Sequence, residues 1–386
     1  MNSNREPATH LDDAIEAFLD AKQKGNDSGN YRTLAENVLG RWKRWLQTRG
    51  IDDLERVDTQ TMRRYAQHLR RRTRAKKSDD TSGGIAASTA QTYYAIISGF
   101  LTWCVEDERI PTNPAQANRA QSELPEDIGE SEQQQFWSPD DRVRLLRFVD
   151  RRASDAIDEQ GFDATTEVRD RAIVYLLAYS GCRIGEIVRD PNDDRRRGLY
   201  WQDVDFEAST LRVLGKTQEW QNAAFPEQCH SALERHQRLQ SPPQDQWPVF
   251  PTQHIPTYYR LAHEQLPDEG YSDDEIETIL DSGDMRARLC EEGIVPPNIT
   301  TRSVRRILRQ MCKDAEIQPP EGQADYFQPH GGRRGAGDTL YREQGVSASQ
   351  DLLRHQDPRT TSEAYRHIDA TETANDASDV FESTDN

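Results

Sequence analysis

Residues 115–136, AQANRAQSELPEDIGESEQQQF, form a polar, acidic run with no apolar period. A stretch of this kind cannot bury enough apolar surface to join a core. It divides the chain into two pieces that must each fold around a core of their own. At 386 residues the chain is long enough for both. The boundaries implied are a helical domain over 1–116, a linker over 117–136 and a second domain over 137–386.

Helical spacing dominates the first piece. HLDDAIEAFLDAK (10–22) sets Leu11, Ile15, Phe18 and Leu19 on one face, and YRTLAENVLGRWKRWLQTRG repeats the pattern with Leu34, Val38, Trp42 and Trp45 before a capping Gly50. A third helix carries TQTMRRYAQHLRRRTRAKK (59–77), with eight basic residues and no acid. SGG at 82–84 ends it, Ser88 is the expected N-cap of a fourth helix, and Ile110-Pro111-Thr112-Asn113-Pro114 closes that helix.

The second piece opens on SPDD (138–141), with Ser138 as N-cap, Pro139 at the first helical position and Asp141 completing a capping box. EVRDRAIVYLLAYSG predicts a buried helix ending at Gly181, and a shorter helix starts from Arg183. TLRVLG gives the clearest strand signal, followed by a hairpin turn holding Lys216. Residues 255–298 look like an acidic, helical insertion before SVRRILRQMCKDAEI. The acidic tail after Arg366 is either disordered or a short helix docking through Val380 and Phe381. The fold class expected is mainly α with a small β-sheet.

Composition removes several functions. The longest apolar run, AIVYLLAY (172–179), is too short to span a bilayer, and MNSNREPATH lacks a signal core, which predicts a cytoplasmic protein with no membrane partner. Five cysteines without a C-x-x-C pair argue against a disulfide framework and a zinc site. DPNDDRRRGLYW (190–201) begins like a calcium loop, yet has Arg195 where glycine is needed and Trp201 where glutamate is needed. Cys229-His230 and His236 lack a second ligand pair. No metal and no cofactor is implied.

Net charge is −18, and only seven of the 49 basic residues are lysine. An acidic, lysine-poor chain resembles proteins of salt-loving organisms and implies a halophilic archaeon as source. Such charge concerns solubility more than fold. Against it, the island holding Arg63, Arg64, Arg70, Arg71, Arg72, Arg74, Lys76 and Lys77 is out of place. It is either a solvated helix face or a set of phosphate contacts.

Chemistry-bearing residues then follow in order: Arg183 in SGCRIGEIV, Lys216 in VLGKT, His330 and Arg333 in HGGRR, His355, and Tyr365 in LLRHQDPRTTSEAYRHI. Each has a plain alternative. Arg183 with Glu186 makes an i,i+3 ion pair, single histidines are usually satisfied core or surface groups, and single tyrosines usually pack. Lys216 is more telling, being the only lysine between residues 78 and 312.

Taken in order, the set resembles that of the tyrosine recombinases, the phage integrase family. The resemblance covers nearly the whole chain, down to Asn113-Pro114-Ala115 at the end of the first domain. It implies a helical, SAM-like core-binding domain and a mixed α/β catalytic domain that clamp double-stranded DNA. It further implies a homotetramer acting on two DNA sites through a Holliday junction. Four departures stand out, the first being a long gap from Lys216 to His330 across the insertion. The His355-to-Tyr365 spacing is one residue long, Gly331-Gly332 replaces Asp-Leu, and Arg334 stands where a second histidine is frequent.

The chemistry suits these residue types. Metal-free cleavage of a phosphodiester needs a nucleophile and donors for charge growing on the non-bridging oxygens. Arg183 and Arg333 offer paired guanidinium donors. Tyr365 attacks as phenolate with cationic help, His330 and His355 relay protons or bind phosphate, and Lys216 protonates the departing 5′-oxygen. Tyr341 is the fallback nucleophile. A type IB topoisomerase and a non-catalytic DNA-binding relic remain alternatives.

Overall fold

The computed structural model describes residues 10–23, 29–77, 84–126, 134–283, 285–320 and 323–357. Tyr365 and the acidic tail lie outside the described residues, as do the side chains of Lys76 and Lys77. The chain divides into two compact units, residues 1–133 with 216–218, and residues 134–215 with 219–386.

In the first unit, helices α1 (Leu11–Gln23), α2 (Gly29–Gln47), α3 (Thr59–Lys77) and α4 (Ala87–Glu106) surround one core. Phe18, Trp42 and Phe100 meet there edge to face, at 5.4 to 6.0 Å between centroids. Two sequence expectations shift. Leu34 is 40% exposed, because Ala35, Val38 and Leu39 take the inner stripe of α2. Ser88 lies inside α4, whose N-cap is Ala86 with no side-chain bond. The expected linker is also partly folded. Residues Asn118–Gln121 form α5, Ala120 is buried, and Asn113 caps the preceding turn by accepting the Ala115 N–H at 2.9 Å.

In the second unit, Ser138 and Pro139 start α6 (Pro139–Gln160) as the sequence indicates, the Asp141 N–H reaching the Ser138 hydroxyl at 3.2 Å. Next come α7 (Thr165–Tyr179), the one-turn α8 (Ile184–Ile187) and a three-stranded antiparallel sheet. Its strands are β1 (Val204–Asp205), β2 (Thr210–Leu214) and β3 (Trp220–Ala224) in spatial order 1-2-3. Helices α9 (Glu227–Gln240), α13 (Thr301–Asp314) and α14 (Pro329–Leu353) complete the core around Leu176, Leu177, Val213, Leu233, Val304 and Leu308. Residues 255–298 contain α10 (Ile255–Gln265), α11 (Asp273–Leu280) and α12 (Met285–Glu291), which bury Tyr258, Ile276 and Leu289 in a separate small core.

The Gly331-Gly332 departure has a steric cause. A Cβ on Gly332 would lie 2.5 Å from the Leu177 carbonyl oxygen, and one on Gly331 would lie 2.9 Å from Trp137 and Gln135. Here α14 lies backbone to backbone against the end of α7 and the segment 134–137, whose Trp137 N–H reaches the Gly331 carbonyl at 3.0 Å. Side chains at 331 and 332 would force these elements apart.

Candidate active site

Arg183 stands in extended backbone just before α8, and the Glu186 carboxylate accepts both its backbone N–H (2.7 Å) and its Nη1 (2.9 Å). The i,i+3 pair is therefore present, but Glu186 is 2% exposed and does more than pair on a surface. Its other contact is Arg354, whose Nη2 reaches Oε2 at 2.5 Å. Burial raises the Glu186 pKa, yet Arg354 and Arg183 together outweigh it and leave the carboxyl lowered.

Arg354 caps α14 in left-handed backbone, φ 51° and ψ 49°. Glycine usually fills such a position, and another residue there costs roughly 1 kcal/mol or more. The charge-assisted bond to a buried carboxylate offsets that cost.

Arg333 is 2% exposed and donates to the Gly181 and Leu353 carbonyls. It thereby joins the turn before α8 to the end of α14. Gly181 allows the approach: its φ is +63°, and a Cβ there would lie 2.9 Å from Leu352. Burial first, then the charge of Arg183, bring Arg333 down to about 10, so it remains charged at neutral pH.

His330, in the first turn of α14, and His355, just past its end, complete the group. Desolvation, then Arg334, Arg333 and Arg183, hold His330 down to about 4, although the ring keeps an exposed face. Desolvation, then Arg333, Arg183 and Arg354, bring His355 to about 4 as well. Both rings are neutral at pH 7. Three guanidiniums thus gather around one carboxylate and two neutral imidazoles, a cluster with surplus positive charge. A phosphate diester would complete it.

Lys216 is exposed in the β2–β3 turn, where Gly215 N–H bonds the Glu219 carbonyl at 2.8 Å. Gln218 takes the left-handed position of this three-residue loop, φ 64°. Tyr365 lies outside the described residues. Tyr341, the fallback, is in α14 ahead of the break at Gly345 and half-buried. His236 is buried against Phe250, its Nε2–H donating to the Val249 carbonyl at 2.6 Å, a core histidine rather than a ligand.

The basic island occupies α3, but its arginines differ. Arg63 and Arg70 both pair with Glu123, at 2.7 Å each, and are half-buried. Arg64, Arg71 and Arg74 are exposed, and Arg72 is half-buried. The sequence reading missed a second basic face. On α13, Val304, Leu308 and Met311 are buried, whereas Arg302, Arg305, Arg306 and Arg309 face solvent. The 3.6 period in SVRRILRQM carries that signal.

The model of the family described as "Phage integrase family" matches residues 143–372. The tyrosine recombinase XerC of Xanthomonas campestris pv. campestris (strain B100) is 28% identical over 172 residues, 45% of this chain and 42% of that relative. The alignment thus spans less than half of the relative's length. XerC of Xylella fastidiosa (strain M23) is 24% identical over 287 residues, 74% of this chain and 72% of the relative. Similar solved structures include the Tn1549 transposon integrase in complex with a circular intermediate DNA, with TM-score 0.56 and 16% identity, covering 95% of this chain and 98% of that one. A lambda integrase dimer bound to a COC′ core site has TM-score 0.55 at 12% identity, covering 94% and 98%. At such identities these two establish a shared fold, mainly α with a small sheet. With the family model covering more than half of its residues, the chain belongs to the phage integrase family.

Proposed function

We propose that this protein is a site-specific DNA recombinase that breaks and rejoins strands through a 3′-phosphotyrosine, without metal or ATP. The observation that carries the reading is the Arg183, Arg333, Arg354, Glu186, His330 and His355 cluster, with Arg333 and Glu186 buried, His330 exposed, and three guanidiniums to one carboxylate. Arg183 and Arg333 grip the non-bridging oxygens of the scissile phosphate. The Tyr365 phenol gives its proton to a neutral histidine, His330 or His355, and its oxygen bonds to phosphorus as the P–O5′ bond breaks. Lys216 protonates the departing oxygen. The phosphotyrosine conserves the bond energy, so a 5′-hydroxyl from another strand can reverse the step.

Residues 1–116 act as the core-binding domain, 117–136 as its connection and 137–386 as the catalytic domain. The exposed arginines of α3 and α13 suit phosphate contacts on duplex DNA. The same reading includes a homotetramer on two DNA sites, a cytoplasmic location and a halophilic archaeal source, the last supported by the −18 charge and scarce lysine. Among the described residues no helix is long and apolar enough to cross a membrane.

The test is strand exchange between two duplexes bearing a site selected from a random-sequence library by the protein itself. Recombinant product is expected. Supercoil relaxation without recombinants would point to topoisomerase-like action, and binding with no cleavage to a relic.

A further inference from the structure

Arg196 belongs to DPNDDRRRGLYW, the run that begins like a calcium loop and fails as one. In the structure it is buried, 8% exposed. Its Nη1 donates to the Leu214 carbonyl at 3.0 Å and its Nη2 to the Gly215 carbonyl at 2.7 Å. Its Nε faces the Asp193 carboxylate at 3.3 Å, and Asp193 is itself 4% exposed. A buried guanidinium needs such complete pairing, since desolvation without it costs several kcal/mol (order of magnitude).

The bonded carbonyls are those of the last residue of β2 and the first residue of the turn holding Lys216. β1 pairs with β2 only at Leu211 and Thr210, so the far end of β2 has one strand neighbour. At the Leu214 carbonyl Arg196 supplies a bond that a longer β1 would make, and at the Gly215 carbonyl it adds a second hold on the start of the turn. The loop that carries it is also fixed. Asp190 N–H bonds the Arg196 carbonyl at 3.0 Å, and Leu199 N–H bonds the Ile187 carbonyl of α8 at 3.0 Å. Gly198, φ +80°, would place a Cβ 2.8 Å from Val188, so the chain returns tightly beside α8. The segment bearing Arg183 and the strand end leading to Lys216 are thereby tied through one side chain.

We propose that Arg196 is a positioning residue for Lys216, holding the point from which the lysine turn leaves β2. This rests on the reading of Lys216 as the acid for the 5′-oxygen. Arg196 touches no reacting atom. Its loss would let the turn drift, and a misplacement of about 1 Å in a catalytic group can cost about 100-fold in rate.

The experiment compares single-turnover cleavage of two nicked duplexes bearing the selected site, one with the ordinary 5′-oxygen and one with a bridging 5′-sulfur. A thiolate leaves without a proton, so the sulfur duplex does not need the acid. Arg196→Met retains the aliphatic stem. Asp193→Asn/Arg196→Met also removes the buried negative charge that loses its guanidinium in the first variant, while asparagine can still accept the Arg195 N–H, which guards against simple unfolding. On the oxygen duplex each variant should lose about tenfold or more, a part of the roughly 100- to 10,000-fold due to a general acid. On the sulfur duplex both should cleave near the wild-type rate, as should Lys216→Ala. Equal loss on both duplexes, or no loss on either, with Lys216→Ala rescued by sulfur, overturns the role of Arg196 alone. If sulfur does not rescue Lys216→Ala, the acid reading fails, and the proposal with it.

Discussion

Gly332→Ala sets two effects of opposite sign against each other at a position next to Arg333. On propensity alone, alanine in a helix interior is better than glycine by about 1 kcal/mol. The added methyl, however, would lie 2.5 Å from the Leu177 carbonyl oxygen and 3.2 Å from the Trp137 ring. An ordinary contact needs 3.4 Å, so α14 and α7 must separate by about 0.9 Å. Both backbones are buried there, and overpacking of this kind costs about 1–3 kcal/mol. The contact is with backbone, which cannot swing aside, so the upper part of that range, about 2–3 kcal/mol, applies, and after the propensity gain the variant is less stable by about 1–2 kcal/mol. For a unit of this size that is a fall in Tm of roughly 2–8 °C. Gly40→Ala in α2, with nothing within 4 Å of the added Cβ, isolates the propensity term and should raise the stability of the first unit. Thermal and urea melts measure both. Because Arg333 bridges Gly181 and Leu353, displacement of α14 should also slow cleavage by more than the folded fraction accounts for. If Gly332→Ala were as stable and as active as wild type, the backbone contact would not constrain the site.

Other consequences can be measured directly. With a charge of −18, Tm should rise from low to molar KCl as carboxylate repulsion is screened, and a flat or falling series would refute the halophilic reading. Changing the exposed Arg64, Arg71 and Arg74 to Ala should weaken DNA binding across sequences and lower the salt slope by about 0.9 per lost phosphate contact, while circular dichroism stays helical. An unchanged slope would make α3 a solvated face. His236, His330 and His355 are all held near 4, below the ordinary 6.5, so the unfolded chain binds more protons between those values. Stability should therefore be full above pH 6.5 and fall toward pH 4, with on the order of 3 kcal/mol from the buried His236. Urea melts at pH 7 and 4.5 that coincide would contradict this.

Local signals in the sequence were reliable where one residue decides the geometry. The Ser138 capping box, the helix over 59–77 and the hairpin around Lys216 are examples, each set by neighbours a few residues away. Where tertiary packing chooses among near-equals, the sequence was silent. Either Leu34 or Ala35 could line α2, and close helix packing selects the smaller. Glu123 pairs with arginines more than 50 residues away, so Arg63 and Arg70 looked no different from Arg71. Arg183, His330, Arg333 and His355 were legible by order, and the fold brings them together. Arg354 and Arg196 were not, because each owes its role to a carbonyl or carboxylate brought by another segment. The glycine pair at 331–332 became intelligible only once Leu177 and Trp137 were seen against it.

The central claim is that Tyr365 is the nucleophile, and a covalent adduct tests it most directly. A duplex nicked just beyond the scissile phosphate lets the short 5′-hydroxyl fragment diffuse away, so the phosphotyrosine cannot be reversed. Wild type should form an adduct stable to denaturant, with the DNA-bearing peptide mapping by mass spectrometry to Tyr365. Tyr365→Phe, which retains the ring and loses one oxygen, should still shift the duplex in a gel and give no adduct. An adduct mapped to Tyr341, or one that persists in Tyr365→Phe, would contradict the assignment, and no adduct from wild type on any nicked site would contradict the enzyme itself.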